Sequence, residues 1–193
     1  MFLRAPTLAL LVYTAALPAA NSVAAQALDP EARAEVEALR GGDMRKLAVH
    51  EAPVAVPNAP YIGPDGAETT LAASDGRLRV VNFWATWCAP CREEMPALDA
   101  LQAAHGGPDF EVILIATGRN SPEAIERFFA EAAIGRLETG LDPRGMLARE
   151  MGVPGLPVTV ILNREGAEIA RLMGGADWNG ESARAIVADL LAR

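Results

Sequence analysis

Three short apolar runs constrain this 193-residue chain more than any other feature: residues 79–85, 110–117 and 158–162 are nearly continuous in hydrophobic side chains. Runs this short and this unbroken read as strands covered on both faces, as in a parallel sheet packed between helices. Helical spacing recurs from about Pro90 to Ala104, with Leu98 and Leu101 inward and Gly106-Gly107 as the stop. It recurs after Ser121-Pro122, where Ile125, Phe128, Phe129 and Ala132 share a face. Those phenylalanines are expected in the core. Asp142-Pro143 predicts a short helix to about Met151, and a last helix is expected over about 181–192. Asn163-Arg164-Glu165-Gly166 should turn the third run back into an antiparallel partner, Glu168 to Met173. Pro64-Asp65-Gly66 marks a small hairpin between Tyr61-Ile62 and Thr69-Leu71. The order βαβα followed by ββα predicts one α/β domain with a mixed sheet.

The ends of the chain differ in character from this alternation. Residues 1–27 carry one cation, Arg4, then an apolar run from Thr7 to Ala20, then small residues around Val23, Ala25 and Ala27. That is the anatomy of a cleaved export signal, with cleavage expected after Ala25 or Ala27. An uncleaved anchor is the alternative, since Ala5 to Ala27 is 23 residues without a charge. Pro18, Asn21, Ser22 and Gln26 argue against it, and either form places the domain outside the cytoplasm. Loss of residues 1–27 removes one arginine and no acid, so the formal charge moves from −8 to −9. An acidic domain without Lys/Arg clusters lacks the electrostatic attraction that dominates nucleic-acid affinity, so no nucleic-acid partner is expected. Residues 28–58 read as a lead-in. Asp29-Pro30 opens a helix closed by Gly41-Gly42, either a spacer or packed on the domain, and an extended connector follows from Glu51 to Pro60. The main domain is then expected over 59–193.

The only two cysteines, Cys88 and Cys91, lie two residues apart where the first apolar run gives way to a helix. A zinc site would need His50 and His105, which lack the paired spacing of such ligands, and covalent haem would need a histidine where Arg92 stands. A purely structural bridge is a poor use of this spacing. Closing a four-residue loop contributes only about 2 kcal/mol in the chain-entropy model, against nearly 5 for about a hundred residues. Two sulfurs this close can instead pass between dithiol and disulfide without unfolding the chain. Cys88 falls at a helix N-terminus, where unpaired N–H groups and the dipole favour thiolate, so it is expected to attack. Cys91, one turn inside, is expected to be shielded and to resolve. Pro90 stiffens the turn where the helix has no use for its N–H.

Trp87-Cys88-Ala89-Pro90-Cys91, after Val81-Asn82-Phe83-Trp84-Ala85-Thr86, resembles the active site of thioredoxin-fold proteins. Cys91-Arg92-Glu93-Glu94-Met95-Pro96, the 64–66 hairpin and the leader narrow that resemblance to the TlpA/ResA/CcmG group of exported thiol-disulfide reductases, from about Ala59 to the C-terminus. The resemblance implies a thioredoxin-like α/β fold, a central mixed sheet flanked by helices with an extra N-terminal hairpin. It implies a cis peptide bond before Pro157, set against the cysteines, leaving the Leu156 backbone free to pair with an extended substrate segment. It also implies that Glu94 sits beneath the disulfide and assists proton transfer, through a carboxyl whose pKa burial has raised. Glu93 should be solvated, Trp84 buried, Trp178 packed near the last helix without chemistry, and Trp87 a partly exposed lid beside Cys88, contacting substrate together with Pro90.

The expected function is reduction of disulfides in exported proteins, in the periplasm or its equivalent, soluble after signal cleavage or tethered to the inner membrane. No cofactor or metal is expected: a G-x-G-x-x-G motif is lacking, so electrons must come from another dithiol protein. The resemblance implies a membrane thiol transporter of the DsbD/CcdA type as donor. As clients it implies apocytochrome c haem-site cysteines or the copper-site cysteines of respiratory oxidase assembly. A disulfide-forming oxidant on the same fold is one rival, since direction depends on potential. A copper(I) chaperone is another, although Sco-like copper proteins space their cysteines by three residues rather than two. A non-enzymatic docking module is the third.

Overall fold

A computed structural model describes residues 27–72 and 76–193, so the expected leader lies outside the described residues except for Ala27. Its strands, in chain order, are β1 (Ala48–Val54), β2 (Pro60–Ile62), β3 (Glu68–Thr70), β4 (Leu78–Trp84), β5 (Phe110–Thr117), β6 (Thr139–Asp142), β7 (Val158–Leu162) and β8 (Glu168–Met173). All eight join one mixed sheet in the order β1-β8-β7-β4-β5-β6-β2-β3. The helices are α1 (Pro30–Ala38), α2 (Ala89–His105), α3 (Pro122–Glu131), α4 (Met146–Glu150) and α5 (Glu181–Leu191). This is a thioredoxin-like α/β fold, with the 60–70 hairpin added at one edge.

Every residue of the central strand β4 is buried, as its mainly apolar run predicts, and its two polar residues, Arg79 and Asn82, are buried with the rest. Successive side chains point to opposite faces and so feed two separate layers. Leu78, Val80 and Trp84 join Leu98 and Leu101 of α2, Phe128 of α3 and Ile186 of α5, whereas Val81 and Phe83 join Leu147 of α4 and Tyr61 of the hairpin. β4 runs parallel to β5 and antiparallel to β7, so the N-terminus of α2 emerges at the end of the sheet where β7 begins. Among the described residues no helix is long and apolar enough to cross a membrane.

Two regions depart from the sequence reading. The lead-in packs on the domain, the second of its two expected readings. Asp29 caps α1 by accepting from the Ala32 N–H at 2.8 Å, as expected, but the helix ends at Ala38 and a 3-10 turn, Gly42–Lys46, follows. Val36, Met44 and Leu47 are buried in the same layer as α2. The segment expected as a connector carries β1, which pairs antiparallel with β8. Its mixed polar sequence and Pro53 conceal a strand, but at a sheet edge proline is tolerated, and the pairing covers backbone groups of β8 that would otherwise lie open. The second departure is β6. Thr139-Gly140-Leu141-Asp142 has no strand signature and forms because the free edge of β5 accepts it in parallel register. Gly140 is required there, since a Cβ would lie 2.8 Å from the Ile62 carbonyl oxygen. Asp142 ends this strand rather than opening a helix directly. Its buried carboxylate still caps α4 by accepting from the N–H groups of Met146 (2.8 Å) and Ala148 (3.0 Å).

A buried ionic cluster joins β1, β8 and the loop after α4. Glu168 accepts from Arg171 Nε and Nη2 at 2.8 Å each and lies 2.8 Å from His50 Nε2. Arg171 also donates to the carbonyls of Met151 (2.7 Å) and Gly152 (3.1 Å), holding the start of the 151–157 segment. Replacing Arg171 with Met leaves a buried carboxylate short of its cation, and urea denaturation should show a loss of about 3 kcal/mol.

Candidate active site

The turn between β4 and α2 is held before any sulfur is considered. Asn120, just past β5, accepts from the Thr86 N–H at 2.8 Å and the Thr86 hydroxyl at 3.0 Å, while its own amide donates to the Thr117 carbonyl at 3.0 Å. Cys88 then serves as N-cap residue of α2 in extended geometry, its side chain making no capping bond, and its N–H donates to the Ala85 carbonyl. Cys88 therefore stands at the end of α2 where the backbone donors of the first helical turn lack helical partners. Pro90 sits inside that first turn and the helix runs on through Pro96.

Cys88 and Cys91 form a disulfide, with Cα atoms 5.3 Å apart. Cys88 is 6% exposed and Cys91 0%, so the outer sulfur is the one at the helix mouth. Trp87 stands out at 66% exposure beside it, whereas Trp84 is fully buried and stacks on Phe129 with ring centroids 5.6 Å apart.

The Leu156–Pro157 peptide bond is cis, at the entrance to β7. Leu156 is half-buried and Pro157 buried. The exit of β8 ties this proline to the cysteine turn. Gly174 N–H donates to the Pro157 carbonyl at 2.9 Å, and Gly175 lies so close to α2 that an added Cβ would sit 3.4 Å from the Pro90 carbonyl and 3.9 Å from Glu94 Oε2. Pro90, Glu94 and Pro157, far apart in the chain, thus gather round one glycine pair.

Glu94 is 4% exposed, on the inner side of α2, while Glu93 is exposed. Its Oε1 accepts from Asn82 Nδ2 at 2.9 Å and its Oε2 from the Ala176 N–H at 3.0 Å. Burial pushes its pKa up to about 7. The bonds from Asn82 and Ala176, the Trp178 N–H and the Lys46 charge oppose that rise without cancelling it. The Trp178 indole nitrogen is buried and acts on the carboxylate from outside full hydrogen-bonding geometry. Lys46, from the 3-10 turn, donates to the Gly175 carbonyl at 2.5 Å. A groove of about 430 Å³ opens beside this carboxylate, lined by Pro90, Glu93, Gly175, Asp177 and Asp43.

Sequence reasoning missed Asn82, Thr159, whose hydroxyl oxygen accepts from Asn82 Nδ2 at 2.9 Å, Asn120 and the link from Trp178 to Glu94. One signal was available: an amide inside a mainly apolar, buried run must find a hydrogen-bond partner. Among the described residues, no group of three or more Cys, His, Asp or Glu side chains could hold a metal ion.

A family model described as Redoxin matches residues 51–187. The thiol:disulfide interchange protein HelX of Rhodobacter capsulatus is 34% identical over 131 residues, 66% of this chain and 69% of that one. The thiol-disulfide oxidoreductase ResA of Bacillus thuringiensis is 25% identical over 118 residues, 61% of this chain and 67% of that one. Other curated relatives are spanned over as little as 54% of their length. The thioredoxin domain of a thiol-disulfide oxidoreductase from Bacteroides vulgatus superposes with a TM-score of 0.61 at 20% identity, covering 75% of this chain and 98% of that one, a likeness of fold.

Proposed function

Since the chain belongs to the Redoxin family, we propose that it reduces disulfides in exported client proteins through Cys88, Cys91 and Glu94. The protein is a thiol-disulfide oxidoreductase acting on disulfide-containing proteins. The observation that carries the proposed roles is the stacking of three unlike groups along the first two turns of one helix: a sulfur at the helix mouth, a second sulfur shielded behind it, and a buried carboxyl one turn deeper.

In the dithiol form, the Cys88 thiolate attacks one sulfur of a client disulfide. The client S–S bond breaks, its other sulfur leaves as thiolate, and Cys88 is joined to the client. Cys91 then loses its proton and attacks the Cys88 sulfur, the mixed disulfide breaks, and the second client sulfur leaves as thiolate. Two electrons have passed to the client and the Cys88–Cys91 bond has formed. A carboxyl with a pKa of about 7 is well matched to take the Cys91 proton and return it at neutral pH. Trp87, Pro90 and Leu156 form the contact surface for the client, the last through its backbone ahead of cis-Pro157.

The oxidised pair is returned to dithiol by a second thiol protein, a membrane transporter of the DsbD/CcdA type. The clients are the haem-site cysteines of apocytochromes c or the copper-site cysteines of a respiratory oxidase. Residues 1–27 direct the domain of 59–193 to the periplasm, as a cleaved signal or as a tether, with 28–58 between them. Redox titration against glutathione tests the direction of transfer. A potential toward the thioredoxin end of the range, about −270 mV, is expected, and one near about −120 mV would overturn reduction in favour of oxidation.

A further inference from the structure

We infer that Asn82 is a positioning residue for this reaction, its amide holding the Glu94 carboxylate in place from the strand next to the cis-proline. The inference rests on Glu94 as the proton-transfer group. Asn82 is fully buried at the middle of β4, on the face that carries Val80 and Trp84 toward α2. A leucine there would extend the apolar layer, whereas an amide must be hydrogen-bonded to be tolerated. Its Nδ2 donates to Glu94 Oε1 at 2.9 Å and to Thr159 Oγ1 at 2.9 Å, which uses both amide hydrogens. Thr159 lies directly opposite in the β4–β7 register, two residues past Pro157. Among the described residues, Asn82 Oδ1 is buried with no hydrogen-bond partner. This orientation is the one the network demands, because turning the amide over would press its oxygen against a carboxylate. One side chain therefore joins three parts of the site: the strand whose following turn leads to Cys88, the helix that carries Cys91 and Glu94, and the strand that begins after the cis bond.

The other groups facing Glu94 do not make this connection. Lys46 acts by charge from the 3-10 turn, Ala176 and Trp178 by their N–H groups from the segment after β8, and the carboxylates of Asp43, Glu93 and Asp177 line the groove beside it. The cysteine pair lies toward the N-terminus of the same helix.

The test is the pH dependence of resolution of a glutathione mixed disulfide at Cys88, together with direct titration of the Glu94 carboxyl by carbon NMR. Glu94→Gln should abolish an ionisation near neutral pH. Asn82→Ala removes a bond to the charged form and should move that ionisation upward by about one pH unit. Asn82→Asp keeps the side-chain volume but sets a second carboxylate against the first. The pair then shares a proton, and the displacement should exceed that of the alanine variant. Thr159→Val, which leaves the amide with one anchor, should shift it less and in the same direction. If alanine at this buried site prevents folding, the isosteric variants decide. Should Glu94→Gln leave the rate profile unchanged, the role given to Glu94 fails, and the NMR titration still reports whether Asn82 governs its charge. A Glu94 signal that titrates identically in wild type, Asn82→Asp and Thr159→Val overturns the inference.

Discussion

Cys91→Ser should convert the protein into a trap. Cys88 still attacks client disulfides, but no internal thiol follows, so mixed disulfides accumulate that survive denaturation and dissolve on adding reductant. Turnover should fall by about 10³-fold or more, because an intramolecular thiol at very high effective concentration is replaced by dilute thiols from solution. Cys88→Ser should abolish turnover without trapping anything, since Cys91 is fully shielded. The asymmetry is the informative part. Equal trapping by both single variants would mean that the helix mouth does not select the attacking sulfur, and the order of events above would have to be abandoned.

The second large effect concerns Glu94 and runs through stability as well as rate. Its pKa rises from 4.5 to about 7 on folding, chiefly because burial disfavours the charged form. Below pH 4.5 the group is protonated in both states and costs nothing. Between pH 4.5 and 7 the unfolded chain gives up the proton while the native protein keeps it, so stability falls as pH rises, by about 3 kcal/mol in all. Glu94→Gln should remove that slope. Glutamine keeps the volume but cannot accept from Ala176 and Asn82 together, so the variant should be about 1 kcal/mol less stable than wild type at pH 4 and about 2 kcal/mol more stable at pH 8. Denaturation curves across this range should therefore cross. The same variant should slow disulfide exchange near neutral pH by about 10²-fold, the usual scale for losing a positioned proton-transfer group. A wild-type stability that is level from pH 4.5 to 7.5 would remove the physical basis for giving Glu94 this role. A carboxyl that weakens the fold at working pH is understandable where its proton is used, and hard to account for elsewhere.

Much of the site was legible because it is local. Cys88 and Cys91 sit at a strand-to-helix junction that the apolar run and Pro90 announce by themselves, whereas the buried position of Glu94 was implied only by the family resemblance, its spacing alone reading as a surface carboxylate. The hairpin around Pro64-Asp65-Gly66 and the turn at 163–166 likewise carry their geometry in their own residues. Asn82 was harder to read. Its polarity is visible in the run, but its partners lie 12 and 77 positions away. β1 and β6 were hidden for a related reason: neither has a period-two pattern, and both form by lying along an edge that another strand leaves open.

The sequence by itself determined which segments would be strand or helix in the centre of the fold, and where the thiols would stand relative to a helix end. Those properties depend on side-chain periodicity and on neighbours within one or two turns. Only the tertiary structure decided that Glu94 would be buried with an amide on one oxygen and the Ala176 N–H, 82 positions on, at the other. It also decided that Gly174 and Gly175 would bring Pro157 and Pro90 together. Burial and long-range pairing are set by how the sheet closes against its helices, and no local window of residues contains that information.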